Sequence, residues 1–305
     1  MPEIDFSNLP SVTNYTFYPL LFDENPLEIL IGGAHSGKCF GKGTEIVMAD
    51  GRLKRIEDIK KDDYVMGVDS KPRKVLGTTK GYGKLYKIKF RGMDEFIANK
   101  EHILCLVDNE ENYYEYSIEE YLKIKNKLYM YKSSIELPEV ETFDKPYDIG
   151  FMVGSNNTLG RDSTFFIPDE FLYNSKKVRS KVLAGIFDAK TNPKKGVQDK
   201  RKDFYVKNKI LAEQILYLAN SLGLYVNYTI KDGVYRIKIK GNLKSLPCKK
   251  YKAHNMKGKC TFKIEEYGEG EYYGCMVDGD NKMLLKNFVV THNSYFTAQK
   301  IIYKM

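Results

Sequence analysis

The chain has 305 residues, with 49 Lys and Arg against 40 Asp and Glu, a net charge of +9, and 42% hydrophobic and 13% aromatic residues. This composition is typical of a folded protein with a hydrophobic core, and the absence of any apolar run of about 18 residues excludes an integral membrane protein. Five cysteines, an odd number in a chain of this size, argue against a disulfide scaffold and for a reducing compartment. No signal peptide is visible, and the length predicts roughly two domains.

The first predicted element is a short buried strand, Leu27 to Ile31, that leads into a glycine-rich turn. The turn is a truncated phosphate-binding loop. In the pattern G-x-x-x-x-G-K-[ST], backbone N–H groups cradle phosphates, the Lys reaches the β- and γ-phosphates, and the final hydroxyl binds Mg²⁺. Gly32, Gly37 and Lys38 fit this pattern, but Cys39 stands where the Ser or Thr is required.

The missing hydroxyl is found at the other end of the chain. Residues 294–305 are SYFTAQKIIYKM, a Ser followed by a predicted short amphipathic helix. Joining Lys38 to Ser294 restores G-x-x-x-x-G-K-S between a strand and a helix, which is the context that the motif requires. Residues 39–293 therefore have the character of an insertion in a nucleotide-binding loop.

Both ends of this insertion are predicted to be rich in β-strands. A strand is predicted over 45–48, followed by a turn at Asp50-Gly51. From 84 to 106, and again from 261 to 293, short apolar runs are broken by Gly and Asp. This pattern is typical of an all-β unit built from long twisted hairpins.

The middle of the insertion, about 147–240, has a different pattern. Apolar residues recur at helical spacing from Ile210 to Leu222 and stop at Gly223, which predicts a helix with a glycine cap. Residues 225–240 alternate around Asp232-Gly233, as in a β-hairpin. An α+β module is therefore predicted within the β unit.

Three short segments give the insertion its resemblance to a known family. They are CFGKGTEI at 39–46, ANKEHIL at 98–104, and VVTHN at 289–293, the last followed by Ser294. On these segments the chain resembles an intein, a protein-splicing element of the Hint fold. The flanks resemble the phosphate loop of a phage terminase large subunit or a related P-loop ATPase. The resemblance implies a mainly β, horseshoe-like Hint splicing domain interrupted by an α+β domain.

The resemblance also implies domain boundaries. In chain order these give an N-terminal flank with the strand and truncated loop (1–38), an N-terminal part of the Hint domain (39–145), the inserted domain (146–245), a C-terminal part of the Hint domain (246–293) and a C-terminal flank (294–305). The two flanks are too short for an ATPase core, so we expect them to be a fragment of a longer host protein.

Splicing chemistry gives roles to residues at the two junctions. Cys39 would attack the carbonyl of Lys38 and convert the peptide bond into a thioester, because a thiolate is far more nucleophilic than a hydroxyl near neutral pH. Ser294 would then accept the acyl group. Asn293 would cyclise onto its own carbonyl to release Ser294, with His292 positioned to assist, and the ester joining Lys38 to Ser294 would rearrange to an amide.

The first of these steps runs uphill, so the departing nitrogen of residue 39 must be protonated and its peptide bond distorted. The family uses a His in a T-x-x-H segment for this protonation. His102 in NKEH matches that His, and Asn99 takes the Thr place, where it can hydrogen-bond the junction. The competing interpretation of His102 is a core histidine with satisfied polar atoms.

Two further positions of the family are not matched. Ungapped alignment of residues 272–293 places Gly274 where the family often has Asp and Asn281 where it often has a second His. Cys275, one residue later than the Asp place, is a candidate assisting residue. A small buried hydrophobe is at least as good an interpretation of this cysteine.

The remaining cysteines predict no metal site. Cys105, Cys248 and Cys260 are interpreted as packing residues or surface thiols. Cys248, His254 and Cys260 lack the close C-x₂₋₄-C pairs of a zinc site. Splicing is therefore expected to need no cofactor.

The inserted module resembles a LAGLIDADG homing endonuclease. The segments that carry this resemblance are PYDIGFMVGSN at 146–156, IPDEFLYNSKKVR at 167–179, LAGIFDAKT at 183–191 and the helix that ends at Leu222-Gly223. In that family two helices pack through small residues, here Gly150 and Gly154 against Ala184 and Gly185. Each helix delivers one carboxylate to a shared Mg²⁺ site.

The two acid positions of that family hold Ser155 and Lys190 in this chain, and Asp188 lies where the family's first Asp caps the helix. We therefore expect a decayed nuclease, for which Mg²⁺ would matter only if it were active. Weak DNA binding through phosphate contacts is an alternative to a solvated basic face, which is favoured. The basic residues concerned are Arg161, Lys176, Lys177, Arg179, Lys190, Lys194, Lys195, Lys200, Arg201 and Lys202.

Three classes of function are weighed. The favoured one is a monomeric self-splicing element that acts in cis on itself, without a membrane, in the cytoplasm of a bacterium or a phage-infected cell. The alternative is a homing endonuclease or DNA-binding protein that acts on the insertion site, against which the missing acids count. A nucleotide-binding ATPase is excluded for the unspliced chain, because Cys39 replaces the Mg²⁺-binding hydroxyl. ATP and Mg²⁺ are expected only for the spliced host.

Overall fold

The computed structural model describes residues 39–124, 126–156, 166–189, 203–251 and 255–292. Within these ranges the strands are β1 (Phe40–Gly41), β2 (Glu45–Val47), β3 (Leu53–Arg55), β4 (Tyr64–Met66), β5 (Pro72–Phe90), β6 (Phe96–Asn99), β7 (Ile103–Val107), β8 (Tyr113–Ser117), β9 (Tyr129–Met130), β10 (Asp203–Val206), β11 (Tyr225–Lys231), β12 (Val234–Lys240), β13 (Phe262–Val277), β14 (Lys282–Leu284) and β15 (Val290–His292). The helices are α1 (Ile118–Tyr121), α2 (Pro146–Asn156), α3 (Asp169–Leu172), α4 (Lys176–Ala189) and α5 (Lys209–Ser221), with 3₁₀ turns at Ile56–Asp58 and Leu243–Ser245. Over the same ranges, no helix has the length and apolar character of a membrane span.

The start of the insertion lies inside a five-stranded sheet with the order β13-β1-β6-β5-β4. The long strands β5 and β13 pair antiparallel along nearly their whole length, with two register shifts. This confirms the predicted unit of long antiparallel strands, but β5 and β13 come from opposite ends of the insertion and are not joined as a hairpin. Strand β1 lies between β13 and β6, where Phe40 is opposite Tyr273 on one side and Ala98 on the other. Residue 39 therefore enters the fold between two strands.

The end of the insertion lies in a second sheet with the order β14-β15-β7-β8, in which β9 also pairs with β7. In this sheet His292 is opposite Lys282 of β14 and Ile103 of β7, whereas Thr291 is opposite Met283 and Leu104. Cross-strand partners share one face of a sheet, and successive residues alternate between faces. The side chains of His292 and Thr291 therefore lie on opposite faces.

The inserted part of the chain contains α2 to α5 and a three-stranded sheet with the order β10-β12-β11. Helices α2 and α4 approach closely because glycines line their contact. A Cβ added to Gly150 would lie 1.9 Å from the carbonyl oxygen of Val182, and one added to Gly185 would lie 2.2 Å from that of Tyr147. Only glycine permits this approach. The predicted packing of these helices through small residues is confirmed.

The helix and hairpin predicted in this part are also confirmed. Helix α5 ends before Gly223, whose φ of +78° continues the chain in the left-handed region. Strands β11 and β12 are joined by Asp232 and Gly233, both with positive φ, as a two-residue hairpin turn requires. The strand predicted over 45–48 is one residue shorter, because Met48 makes only an isolated bridge to Val65.

The inserted part and the β part share one hydrophobic core. Val47, Phe288 and Val290 of the β part belong to the same buried cluster as the apolar side chains of α2, α4 and α5. The hydroxyl of Tyr217 on α5 donates a hydrogen bond to the carbonyl oxygen of Gly51 (2.8 Å), and its ring lies edge-on to Phe288 with centroids 5.4 Å apart. The predicted domain boundaries at 145/146 and 245/246 therefore separate two parts of the chain that share one continuous hydrophobic core.

Candidate active site

Cys39 has no exposed surface and packs with Leu85, Tyr272 and Ile97. Its backbone N–H donates a hydrogen bond to the side-chain oxygen of Asn99 (2.9 Å), and the backbone N–H of Asn99 donates to the carbonyl oxygen of Cys39 (3.1 Å). The antiparallel pairing of β1 with β6 places the two residues opposite each other. Asn99 therefore holds the nitrogen that belongs to the 38–39 peptide bond.

The thiol of Cys39 lies in an environment that disfavours its ionised form. Burial, together with the negative charge of Glu101, raises the pKa of Cys39 to about 12. The thiol is consequently neutral near pH 7, and its nucleophilic thiolate forms only when a proton is removed. Proton transfer is thus a requirement for any reaction of this sulfur.

His102 is fully buried and contacts chain segments from both ends of the insertion. Its ring lies 4.4 Å from the ring of Phe40, the second residue of the insertion. Its Nε2 lies 2.6 Å from the hydroxyl oxygen of Thr291, the residue before His292. The backbone N–H of His102 donates to the carbonyl oxygen of Asn99 (3.1 Å), so one tight turn positions both side chains.

His292 faces the opposite side of its sheet. Because residues alternate along β15, Thr291 points to His102 whereas His292 points away from it. On that side the Nε2 of His292 lies 4.0 Å from a carboxylate oxygen of Glu115 on β8, and 15% of the His292 side chain is exposed. This histidine therefore has a partly solvated, charged environment, unlike Cys39.

The carboxylate of Glu115 is fixed by two further groups. Its Oε1 accepts hydrogen bonds from the Tyr113 hydroxyl (2.8 Å) and the Lys282 ammonium (3.0 Å), and that ammonium lies 4.6 Å from the centre of the Tyr113 ring. Burial opposes ionisation, but the hydrogen bonds from Tyr113 and Lys282 and the charge of His292 hold the pKa of Glu115 below its usual value. Glu115 is therefore an anion near neutral pH.

Several predicted site residues lie outside the described residues. They are Gly32, Gly37, Lys38, Lys190, Asn293 and Ser294. The predicted strand over 27–31, the predicted helix after Ser294 and His254 also lie outside them. Of the residues described, Cys39, Asn99 and His102 come together at one junction, and His292 stands at the other.

Cys275 lies in the core of the β part. It is buried on β13, opposite Thr78, with its sulfur 3.9 Å from the sulfur of Met283. It belongs to a different buried hydrophobic cluster from Cys39. This placement matches the interpretation of Cys275 as a small buried hydrophobe. Cys105 and Cys260 are likewise buried, and Cys248 is half-buried.

The described residues of the inserted part offer no metal site. Ser155 is exposed on α2. The Asp188 carboxylate is buried and accepts hydrogen bonds from the Tyr147 hydroxyl (2.7 Å) and from the backbone N–H groups of residues 249–251. These donors occupy the lone pairs that a cation would need. Among the described residues, no group of three or more His, Cys, Asp or Glu side chains could hold a metal ion.

The prediction that Arg179 contacts phosphate is wrong. Its side chain is fully buried, and its guanidinium donates to the carbonyl oxygens of Asn174 (2.8 Å) and Ile135 (2.6 Å). The guanidinium thus links α4 by hydrogen bonds to the chain that precedes it. Lys176 and Lys177 are exposed at the start of α4. The other basic residues of the predicted face, Arg161, Lys190, Lys194, Lys195, Lys200, Arg201 and Lys202, lie outside the described residues.

Three residues of the site receive no role from the sequence motifs: Thr291, which lies within the segment VVTHN, and Glu115 and Lys282, which lie outside all three segments. Only Thr291 leaves a signal in the sequence, as a polar residue that alternates with His292 in a short strand whose other members are apolar. Glu115 and Lys282 reach His292 from two other strands of the sheet. Their proximity depends on register, which local sequence does not specify.

Comparison with known proteins finds a family match for the first part of the insertion. Residues 39–141 match the family model described as Hom_end-associated Hint. The catalytic subunit of the V-type proton ATPase of Candida tropicalis is 39% identical over an alignment of 83 residues that covers 24% of this chain. The chain spans only 8% of the length of that protein.

Solved structures with similarity to this chain include two inteins. The gp41-1 intein is 15% identical with a TM-score of 0.35, and the match covers 84% of this chain and 99% of that one. A DnaB intein from Synechocystis sp. PCC 6803 is 12% identical with a TM-score of 0.35, covering 85% and 99%. The match of 39–141 to the Hint family confirms the predicted fold class, a mainly β Hint-like fold with an intervening α+β segment.

Proposed function

We propose that this chain excises residues 39–293 from itself and joins Lys38 to Ser294. The observation that carries the proposal is the position of His102, which packs on the residue after Cys39 and hydrogen-bonds the strand that leads to the second junction. The Hint match of residues 39–141 supports the same function. All reacting groups belong to the chain, so the reaction takes place in cis and needs no cofactor.

The first step is an acyl shift at the 38–39 peptide bond. The Cys39 sulfur bonds to the carbonyl carbon of Lys38, and the bond from that carbon to the Cys39 nitrogen breaks. The thiol loses a proton and the nitrogen gains one. We assign the movement of this proton to His102, while Asn99 fixes the orientation of the nitrogen through its side-chain oxygen.

The later steps transfer the acyl group and release the insertion. The Ser294 hydroxyl attacks the thioester, which frees the Cys39 thiol and leaves a branched ester. The Asn293 amide nitrogen then attacks its own carbonyl carbon, forms a succinimide and breaks the bond to Ser294, with His292 moving the proton. The freed amine of Ser294 takes the acyl group from its own oxygen and forms the new peptide bond to Lys38.

Intact-mass spectrometry of the freshly expressed chain tests this proposal. The expected products are segment 39–293 ending in succinimide and a ligated peptide with GGAHSGKSYF across the joint. Cys39→Ala should leave the 38–39 bond uncleaved, and Asn293→Ala should leave the 293–294 bond uncleaved. A chain that keeps its full mass under reducing conditions contradicts the proposal.

For the inserted part we propose a LAGLIDADG-like module that no longer cleaves DNA. Two observations support this: Ser155 stands exposed at one acid position, and donors of the protein occupy the Asp188 carboxylate. Duplex DNA that carries the uninterrupted G-x-x-x-x-G-K-S coding sequence should remain intact with the protein and Mg²⁺. Nicking of that DNA would instead favour the alternative, a homing endonuclease that acts on the insertion site.

For the host we propose a P-loop nucleotide-binding protein. The support is the restored motif from Gly32 through Gly37 and Lys38 to Ser294, which would bind the phosphates of ATP with Mg²⁺. The comparisons do not support a phage terminase, and the proteins matched include the catalytic subunit of a V-type proton ATPase. Hydrolysis of ATP by the complete host should appear only after splicing, and its presence in an unspliceable Cys39→Ala host would contradict the proposal.

A further inference from the structure

We infer that Glu115 is a positioning residue for His292 and, through it, for cleavage of the 293–294 bond. The inference rests on the proposed splicing function, because only that reaction gives His292 a proton to move. Glu115 belongs to β8, outside the segments that carry the family resemblance. The resemblance therefore assigns it no role.

The two carboxylate oxygens of Glu115 have different partners. Oε1 accepts hydrogen bonds from Tyr113 and Lys282, whereas Oε2 lies 4.0 Å from the Nε2 of His292. Two donors on one oxygen fix the plane of the carboxylate before the reaction begins. The other oxygen is thereby aimed at the imidazole, which a freely rotating surface glutamate would not maintain.

The chemistry at this junction calls for such an anion. When the Asn293 nitrogen closes the succinimide it loses a proton, and the departing Ser294 nitrogen gains one. An imidazole that carries this proton is transiently a cation. A fixed carboxylate 4.0 Å away stabilises that cation and favours the ring orientation that faces it. Only 31% of the Glu115 side chain and 15% of the His292 side chain are exposed. This partial burial strengthens the electrostatic interaction between the two side chains.

The positive charge of Lys282 makes the Glu115 carboxylate more important for His292. Its ammonium is on the cross-strand partner of His292, so the two cationic groups share one face of the sheet. Glu115 separates them electrostatically by pairing with both. Without its negative charge, Lys282 would repel a protonated His292.

The family pattern does not supply this acid. The positions where the resembled family often has an Asp and a second His hold Gly274 and Asn281. Neither supplies a carboxylate or an imidazole. Glu115 brings a carboxylate to the second junction from a different strand.

The test uses the full chain with two backgrounds that isolate the junctions. Cys39→Ala blocks the first step, so release of 294–305 reports on cleavage at Asn293. Asn293→Ala blocks that cleavage, so release of 1–38 by an added thiol reports on the first step. Each background is combined with Glu115→Gln, with Glu115→Asp, and with the exposed control Glu110→Gln.

Glu115→Gln should slow release of 294–305 about tenfold while leaving release of 1–38 unchanged. Glu115→Asp should restore part of the rate, and adding Lys282→Met to Glu115→Gln should restore part of it by removing the repulsion. Glu110→Gln should match the parent. Equal slowing of both releases, or no slowing at Asn293, overturns the inference. A parent chain that performs neither release overturns the splicing proposal itself, and with it this role for Glu115.

Discussion

The two junctions of the insertion are built by opposite physical means. Cys39 and His102 have no exposed surface, and the neutral side chains of Asn99 and Thr291 hold them. His292 is partly exposed, and charged side chains surround it. A buried pocket beside the negative charge of Glu101 opposes formation of an ionised nucleophile, whereas fixed charges can stabilise a proton in transit. Cleavage of the 38–39 bond therefore depends on proton transfer between buried groups. Cleavage of the 293–294 bond depends on electrostatic stabilisation by charged groups that are partly exposed.

The largest expected effect is at the buried junction. His102→Ala should slow thiol-induced release of 1–38 from the Asn293→Ala chain by about 10²–10⁴-fold, because a positioned proton-transfer group contributes that much. Quantitative mass spectrometry of the released peptide measures the rate. In the Cys39→Ala background, release of 294–305 should stay close to that of the parent. If release of 294–305 slows by the same factor as release of 1–38, His102 is a core histidine that only maintains the fold.

The pH dependence should also separate the junctions. Because the pKa of Cys39 is about 12, its thiolate fraction increases about tenfold for each pH unit below that value. With saturating thiol, release of 1–38 from the Asn293→Ala chain should therefore increase about a hundredfold from pH 7 to pH 9. Release of 294–305 from the Cys39→Ala chain should lack this dependence. A rate that levels off just above pH 9, instead of continuing to increase, would show that the Cys39 thiol ionises near its ordinary pKa of about 8.5.

The sequence predicts the buried junction better than the exposed one. Cys39, Asn99 and His102 lie in two short segments, and the pairing of neighbouring strands is enough to bring them together. The contact of His292 with Glu115 instead spans the strands β15, β7 and β8, whose register is set by the whole sheet.

Arg179 gives a second example of what the sequence leaves undetermined. It follows Lys176 and Lys177 in a basic run, but its helix is apolar at Val182, Leu183 and Ile186. That helical spacing places Arg179 on the buried face and could have identified it. Composition alone suggests a surface contact, because a fully buried arginine is rare.

Thr291 tests whether the two junctions are independent. It stands in the strand of the second junction, but its hydroxyl bonds His102 of the first. Thr291→Val preserves shape and removes that bond, so it should slow release of 1–38 from the Asn293→Ala chain about tenfold, as expected for a charge-assisted hydrogen bond. Thr291→Ser should retain the rate. A Val variant that slows only release of 294–305 would assign Thr291 to the junction on its own strand.

The smallest effect is expected where the inserted part supports the second junction. Tyr217→Phe removes the hydroxyl that bonds the Gly51 carbonyl oxygen but keeps the ring against Phe288. The free energy of unfolding should fall by about 1 kcal/mol, which chemical denaturation can measure, while Tyr64→Phe at an exposed position should have no effect. Release of 1–38 and release of 294–305 should keep their rates, since the Tyr217 ring still packs against Phe288. A selective loss of release at Asn293 would instead mean that the hydroxyl itself, through the β2–β3 turn, sets the geometry of the charged junction.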